Sequence, residues 1–128
     1  MGFGLLAFLN AQLQSGIEVV LETAKFSEKL QNADLVFTGE GAIDAQTLSG
    51  KTIAGVCREA GKQNIPVIAF GGKVSLSGAE QSTLGLTAAF PIPDAPMSLE
   101  NCIARADELL ADAVERVLRV WVLKQRRN

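Results

Sequence analysis

The chain contains no histidine and no tyrosine. Without an imidazole there can be no Ser-His-Asp triad, no Cys-His pair and no histidine ligation of a metal. Any proton transfer has to use Asp, Glu, Lys or water. Cysteine is scarce. Cys57 and Cys102 are far apart and belong to no Cys-x-x-Cys pattern. Cys57 shares an i, i+3, i+4, i+7 stripe with Ile53, Val56 and Ala60, which predicts a buried, reduced thiol and hence a cytosolic compartment. Excess charge of either sign is also lacking, since twelve Lys and Arg face fourteen Asp and Glu. That balance argues against nucleic acid as a main partner, because phosphate-backbone binding needs a basic face. The one basic cluster, "KQRR" at Lys124 to Arg127, belongs at a helix C-terminus, where the helix dipole favours cations.

Long hydrophobic runs are missing too. The start "MGFGLLAFLNAQ" lacks the basic region of a signal peptide, and its apolar run, Phe3 to Leu9, is too short to span a membrane. Leu6 stands where a myristoylation signal requires Ser or Thr. The expectation is a buried helix over residues 3 to 13, apolar nearly all round. A helix of that kind at the very start suggests further chain upstream of it.

The 128 residues, 48% of them hydrophobic, suit one globular unit over 1–128. A helical run "IEVVLETA" comes first, and Ser27 reads as an N-cap for "EKLQNA". "DLVFT", Asp34 to Thr38, and "PVIAF", Pro66 to Phe70, read as buried parallel strands, with "LTAAF" a third. A loop over residues 39 to 50 and a helix over residues 51 to 63 lie between the first two. A short amphipathic stretch over residues 76 to 84 precedes the third. "PIPDAP" cannot be helical. Ser98 caps a last helix with the stripe Ile103, Ala106, Leu110, Ala113, Val117 and Val120. Alternating strands and helices predict an α/β fold, a three-layer parallel sheet of Rossmann-like or flavodoxin-like type. Three strands for about six helices are few, so the sheet reads as an incomplete part of a larger domain.

"AQTLSGKT", residues 45 to 52, fits the loose P-loop pattern with Ala45 in place of its first glycine. A true P-loop follows its strand directly. Here six residues, Gly39 to Asp44, separate the match from the strand expected to end at Thr38, so the match reads as accidental. The preceding "TGEGAID" carries more chemistry, because open parallel sheets bind ligands at the C-terminal ends of their strands. Gly39 and Gly41 can expose backbone N–H groups to an anion. Glu40 and Asp44 suit Mg²⁺ or a substrate hydroxyl. Ser49, Gly50, Lys51 and Thr52 open a helix whose N-terminus favours phosphate. Gly71 and Gly72 end the next strand, with Lys73 beside them. Turns between strands and helices favour Gly, Asp and Ser in any case, so each glycine alone admits a purely structural role. Taken together, the constellation matches the needs of phosphoryl transfer.

"ADLVFTGEGAIDAQTLSGKTIAGV", Ala33 to Val56, closely resembles the central signature of bacterial-type glycerate kinases. "MGFGLLAFLNAQLQSGIEVVLETAKF" and "NIPVIAFGG" are similar to its flanks, and the likeness covers roughly residues 1 to 90 well and the last helix loosely. The resemblance implies ATP-dependent, Mg²⁺-assisted phosphorylation of a D-glycerate hydroxyl. It also implies a protein of two α/β domains, one discontinuous, of which this chain is the C-terminal portion. By analogy Thr38, Gly39, Glu40, Gly41, Asp44, Gln46, Ser49, Gly50 and Lys51 line the cleft, with Gly71 and Gly72 near them. Asp44 and Glu40 are then the catalytic and metal carboxylates, and Lys51 the phosphate contact. Ala42 departs from the family's usual arginine, removing a bidentate clamp for carboxylate or phosphate. A truncated, inactive fragment that binds an anion or associates is the alternative. Self-association, or pairing with an N-terminal segment, is expected either way.

Overall fold

The computed structural model describes residues 16–127. The helix expected over residues 3 to 13 lies outside them. Along the chain come α1 (Gly16–Thr23), α2 (Phe26–Lys29), a 3₁₀ turn (Leu30–Asn32), β1 (Val36–Ile43), α3 (Ala45–Ser49), α4 (Thr52–Gly61), β2 (Val67–Val74), α5 (Gly78–Leu84), β3 (Ala88–Pro91), α6 (Leu99–Ala104) and α7 (Ala106–Arg126). The strands form one parallel sheet in the order β1-β2-β3.

β2 is central, and its first half, "VIAF", is apolar at every position because both of its faces are covered. Successive side chains alternate between those faces. Val67 and Ala69 enter a core with Ile53, Val56, Cys57 and Ala60 of α4 and with Leu76 and Leu86 beside α5. Ile68 and Phe70 enter a second core with Ile92, Cys102, Leu109 and Ala113. Helices α1, α4 and α5 thus cover one face, and α6 and α7 the other, which gives the expected three-layer α/β architecture. Burial in the first core pushes the Cys57 thiol up to about 11. Among the described residues no helix is long and apolar enough to cross a membrane, and β1 pairs with β2 alone.

Four expectations need correction. First, residues 39 to 43 are strand, not loop. β1 runs on through "GEGAI", pairing Gly39 with Phe70, Glu40 with Gly71 and Ala42 with Lys73. Glycine makes this possible, because a Cβ on Gly39 would lie 2.7 Å from the Phe70 carbonyl oxygen and one on Gly72 2.9 Å from that of Gly41. These glycines lie inside paired strands rather than in turns after them.

Second, Ser27 caps no helix. The position before α2 is Lys25, in the left-handed region at φ 54° with no side-chain cap. The Ser27 hydroxyl instead donates to Glu59 on α4, at 3.1 Å. Third, the last helix is two helices. Ser98 does cap α6, accepting from the Asn101 N–H at 3.1 Å, but the helix breaks at Arg105, φ −108° and ψ 16°. Fourth, the residues buried along α6 and α7 are Cys102, Leu109 and Ala113, whereas Ile103 and Val120 are 67% and 70% exposed. Ala106, Ala113 and Val117 of the expected stripe do pack in this core, while Cys102 and Leu109 take the places of Ile103 and Leu110, one residue earlier.

Candidate functional site

The extension of β1 changes what surrounds "AQTLSGKT". The strand ends at Ile43 and Asp44 is the N-cap of α3, so Ala45–Ser49 is already helical. The match therefore lies much nearer its strand than the sequence suggested. It still makes no phosphate-wrapping loop, since the residues that would wrap are wound into a helical turn.

Two hollows meet at the C-terminal end of β1. The smaller, about 390 Å³, is lined by Glu40, Gly41, Ala42, Asp44, Gln46, Thr47 and Gly50. The larger, about 790 Å³, lies between β1 and the α6–α7 layer. Thr38, Gly39, Glu40, Gly41, Gly71 and Gly72 form its sheet side, and Phe37, Phe70, Leu110 and Ile103 contribute to an apolar wall. Glu40, Gly41 and Ala42 belong to both. A Cβ on Gly41 would meet nothing within 4 Å, so the space at the junction is open.

Asp44 does more than face the smaller hollow. Its Oδ1 accepts from the Gln46 N–H at 3.0 Å. Its own N–H donates to Thr47 Oγ1 at 3.1 Å. Carboxylates favour such N-cap positions because the first helical N–H groups lack partners. Ser49 and Lys51 line neither hollow. The Ser49 hydroxyl donates to the Gln46 carbonyl at 3.2 Å. Lys51 is the residue before α4, whose N-terminus has no side-chain cap. Its free N–H groups and dipole favour an anion there.

No group of three or more His, Cys, Asp or Glu is placed to hold a metal among the described residues. Glu40 and Asp44, on one hollow, offer two carboxylates. That number fits Mg²⁺, which is commonly held by one or two carboxylates together with substrate phosphates. Another hollow, on the opposite side of the sheet, is lined by Glu18, Lys25, Ser27, Arg58, Glu59 and Lys62 among others. Four of its charges are paired locally, Arg58 with Glu18 at 3.4 Å and Lys62 with Glu59 at 2.9 Å. The Lys62 hydrogen bond holds the Glu59 carboxyl below its ordinary range. Such exposed pairs add little stability.

The glycerate kinase family profile matches residues 1–122. The chain belongs to the glycerate kinase family. It is 40% identical over 117 residues to a glycerate kinase of Halalkalibacterium halodurans, covering 91% of this chain and 31% of that protein. It is 37% identical to a glycerate kinase of Bacillus cereus, over all of this chain and 34% of that protein. A glycerate 2-kinase of Escherichia coli is 36% identical over 93% of this chain and 29% of its own length. A crystal structure described as glycerate kinase 2 from Salmonella typhimurium superposes with TM-score 0.72 at 36% identity, covering 98% of this chain and 32% of that one. The chain thus spans about a third of the length of these glycerate kinases.

Within this member of the family, the structure brings together Glu40, Gly41, Asp44, Gln46 and Gly50 on one hollow, and Thr38, Gly39, Gly71 and Gly72 on its neighbour. Ser49 and Lys51 stand apart from both. Thr47 and the apolar wall from Phe37 to Leu110 are not among the residues that the motifs single out. Thr47 had a signal, since Asp-x-x-Thr is a variant of the capping box. The wall joins residues more than seventy positions apart, which no local pattern reveals.

Proposed function

We propose that this chain supplies the carboxylate-bearing part of the active cleft of an ATP-dependent D-glycerate kinase. The observation that carries the proposal is the convergence of Glu40, Gly41, Asp44, Gln46 and Gly50 on one hollow at a strand end, in a chain that belongs to the glycerate kinases. Phosphoryl transfer is mostly positioning and charge stabilisation. Glu40 and Asp44 would hold the glycerate hydroxyl and take up its proton, or hold Mg²⁺. When bound, that ion would neutralise charge developing on the transferred phosphoryl group. Lys51, before the uncapped N-terminus of α4, would meet a phosphate that extends beyond the hollow. Ser49 would act by shaping the turn that leads there. The two unpaired, buried cysteines support a reducing compartment, the cytoplasm.

One observation favours a second function. The larger hollow and the flank of α7 are apolar and exposed, with Leu99 75% and Leu123 61% exposed. A fragment that associates, or pairs with an N-terminal segment, without turnover would present such a surface. ADP release from Mg-ATP, with and without D-glycerate, separates the two. It should be measured on the chain and on the Bacillus cereus enzyme carrying this chain in place of its matched segment. Glycerate-dependent release from either, lost in Asp44→Asn, is the expected result. No release from either, with both folded, would leave association as the function.

A further inference from the structure

We infer that Thr47 is a positioning residue of the candidate site, aiming the Asp44 carboxylate into the smaller hollow. The inference rests on the glycerate kinase reading above. It adds a residue that neither the motif argument nor the proposed roles contain.

Thr47 is 5% exposed, and it is the buried polar side chain among the described residues. Burying a hydroxyl is costly unless it has a partner. The partner here is the Asp44 N–H, which donates to Thr47 Oγ1 at 3.1 Å. The backbone repeats the link in the other direction, with the Thr47 N–H donating to the Asp44 carbonyl at 2.9 Å. Asp44 is therefore held on its main chain from both sides by one residue. Its carboxylate leaves that fixed backbone to accept from the Gln46 N–H at 3.0 Å. The Thr47 N–H also turns toward that carboxylate, completing a capping box, so one residue orients both the main chain and the side chain of Asp44 at the hollow that the two line.

Asp44 sits where β1 stops and α3 starts, with φ −141° and ψ −167°. A residue at a strand-to-helix junction has no ladder beyond it to set its direction. The Thr47 hydroxyl supplies that constraint. Catalytic geometry tolerates little error, and a misplacement of about 1 Å can cost a hundredfold in rate. Thr47 itself need touch no substrate. Its effect would pass through Asp44.

A double-mutant cycle between Thr47→Val and Asp44→Asn tests this, in whichever form of the protein turns over in the assay above. Valine keeps the volume and removes the acceptor. Asparagine is as good an N-cap as aspartate, so the junction stays folded. The readouts are kcat and KM for D-glycerate, with calorimetric D-glycerate binding as a second measure. Thr47→Val is expected to lower kcat/KM at least tenfold, mainly in kcat, and Thr47→Ser to restore it within threefold. Combined with Asp44→Asn, Thr47→Val should add no further loss, because residues acting as one unit are non-additive. An equal loss in both backgrounds would make Thr47 mere scaffold and overturn the inference. A Thr47→Val enzyme within twofold of the parent, alongside a crippled Asp44→Asn, would overturn it while leaving the site intact. Asp44→Asn within threefold of the parent would instead remove the site reading itself, and Thr47 with it. If Thr47→Val does not fold, Thr47→Ala goes through the same cycle with the same criteria.

Discussion

Gly39 and Gly41 are two residues apart in one strand, yet they lack side chains for different reasons. At Gly39 the space is filled by backbone, with the Phe70 carbonyl oxygen 2.7 Å from an added Cβ. At Gly41 it is empty out to 4 Å. A backbone oxygen cannot swing aside, so Gly39→Ala must push β1 off β2. Overpacking of this kind costs about 1–3 kcal/mol, and the urea midpoint should fall accordingly. Gly41→Ala should leave the midpoint unchanged or slightly raised, since glycine in a strand is already unfavourable. Its methyl would enter the space shared by the two hollows, and the proposed function then predicts weaker D-glycerate binding by calorimetry. Equal stability losses at the two positions would mean that β1 and β2 are not in the register seen here.

At the scale of elements, what the sequence revealed depended on how local the cause was. β2 was legible because "VIAF" is apolar at every position, and α4 because Ile53, Val56, Cys57 and Ala60 keep one helical face; all four are buried. The C-terminal half of β1 was not legible. "GEGAI" has the composition of a turn, and only its partner, the glycine-bearing half of β2, makes it a strand. The same holds for the site. Glu40 and Asp44 could be singled out from their loop-like setting, and Asp-x-x-Thr carried the cap, but the hollow they share needed β1 extended up to α3. In the last helices the core-facing line runs through Cys102, Ala106, Leu109 and Ala113, rotated by one residue at Cys102 and Leu109 from the expected stripe; both lines keep helical spacing, so periodicity alone could not choose between them.

That rotation is testable. Leu109 is fully buried and Leu118 is 39% exposed, although both lie on one helix. Leu109→Ala should cost about 3 kcal/mol, as transfer and cavity effects combine. Leu118→Lys should stay within about 0.5 kcal/mol, as exposed substitutions do. Chemical denaturation of both variants reads this directly, and a reversed order would show that α7 packs by another face.

For the whole molecule, two of the apolar hollows beside α7 form one surface. Leu110 and Val114 line the cleft against β1, and they also line the trough of about 990 Å³ that continues past Leu118, Val122 and Leu123. β1 adds an edge with no pairing partner among the described residues. Contiguous apolar patches and open strand edges mark interfaces or sites of aggregation. A chain spanning a third of its relatives' length, 31% and 34% in two of them, can expose surface that longer proteins have more chain to cover. The 13.6 kDa chain should therefore sediment as a larger species and bind a hydrophobic dye. Leu118→Lys with Val122→Lys should shift it toward the monomer mass and weaken dye binding, because both charges fall on the trough and neither residue is in a buried core. If the unmodified chain sediments as a monomer that ignores the dye, the apolar flank of α7 is no interface. The association alternative for this chain's function would then lose the apolar surface that supports it, which makes sedimentation the experiment that bears on both functional readings at once.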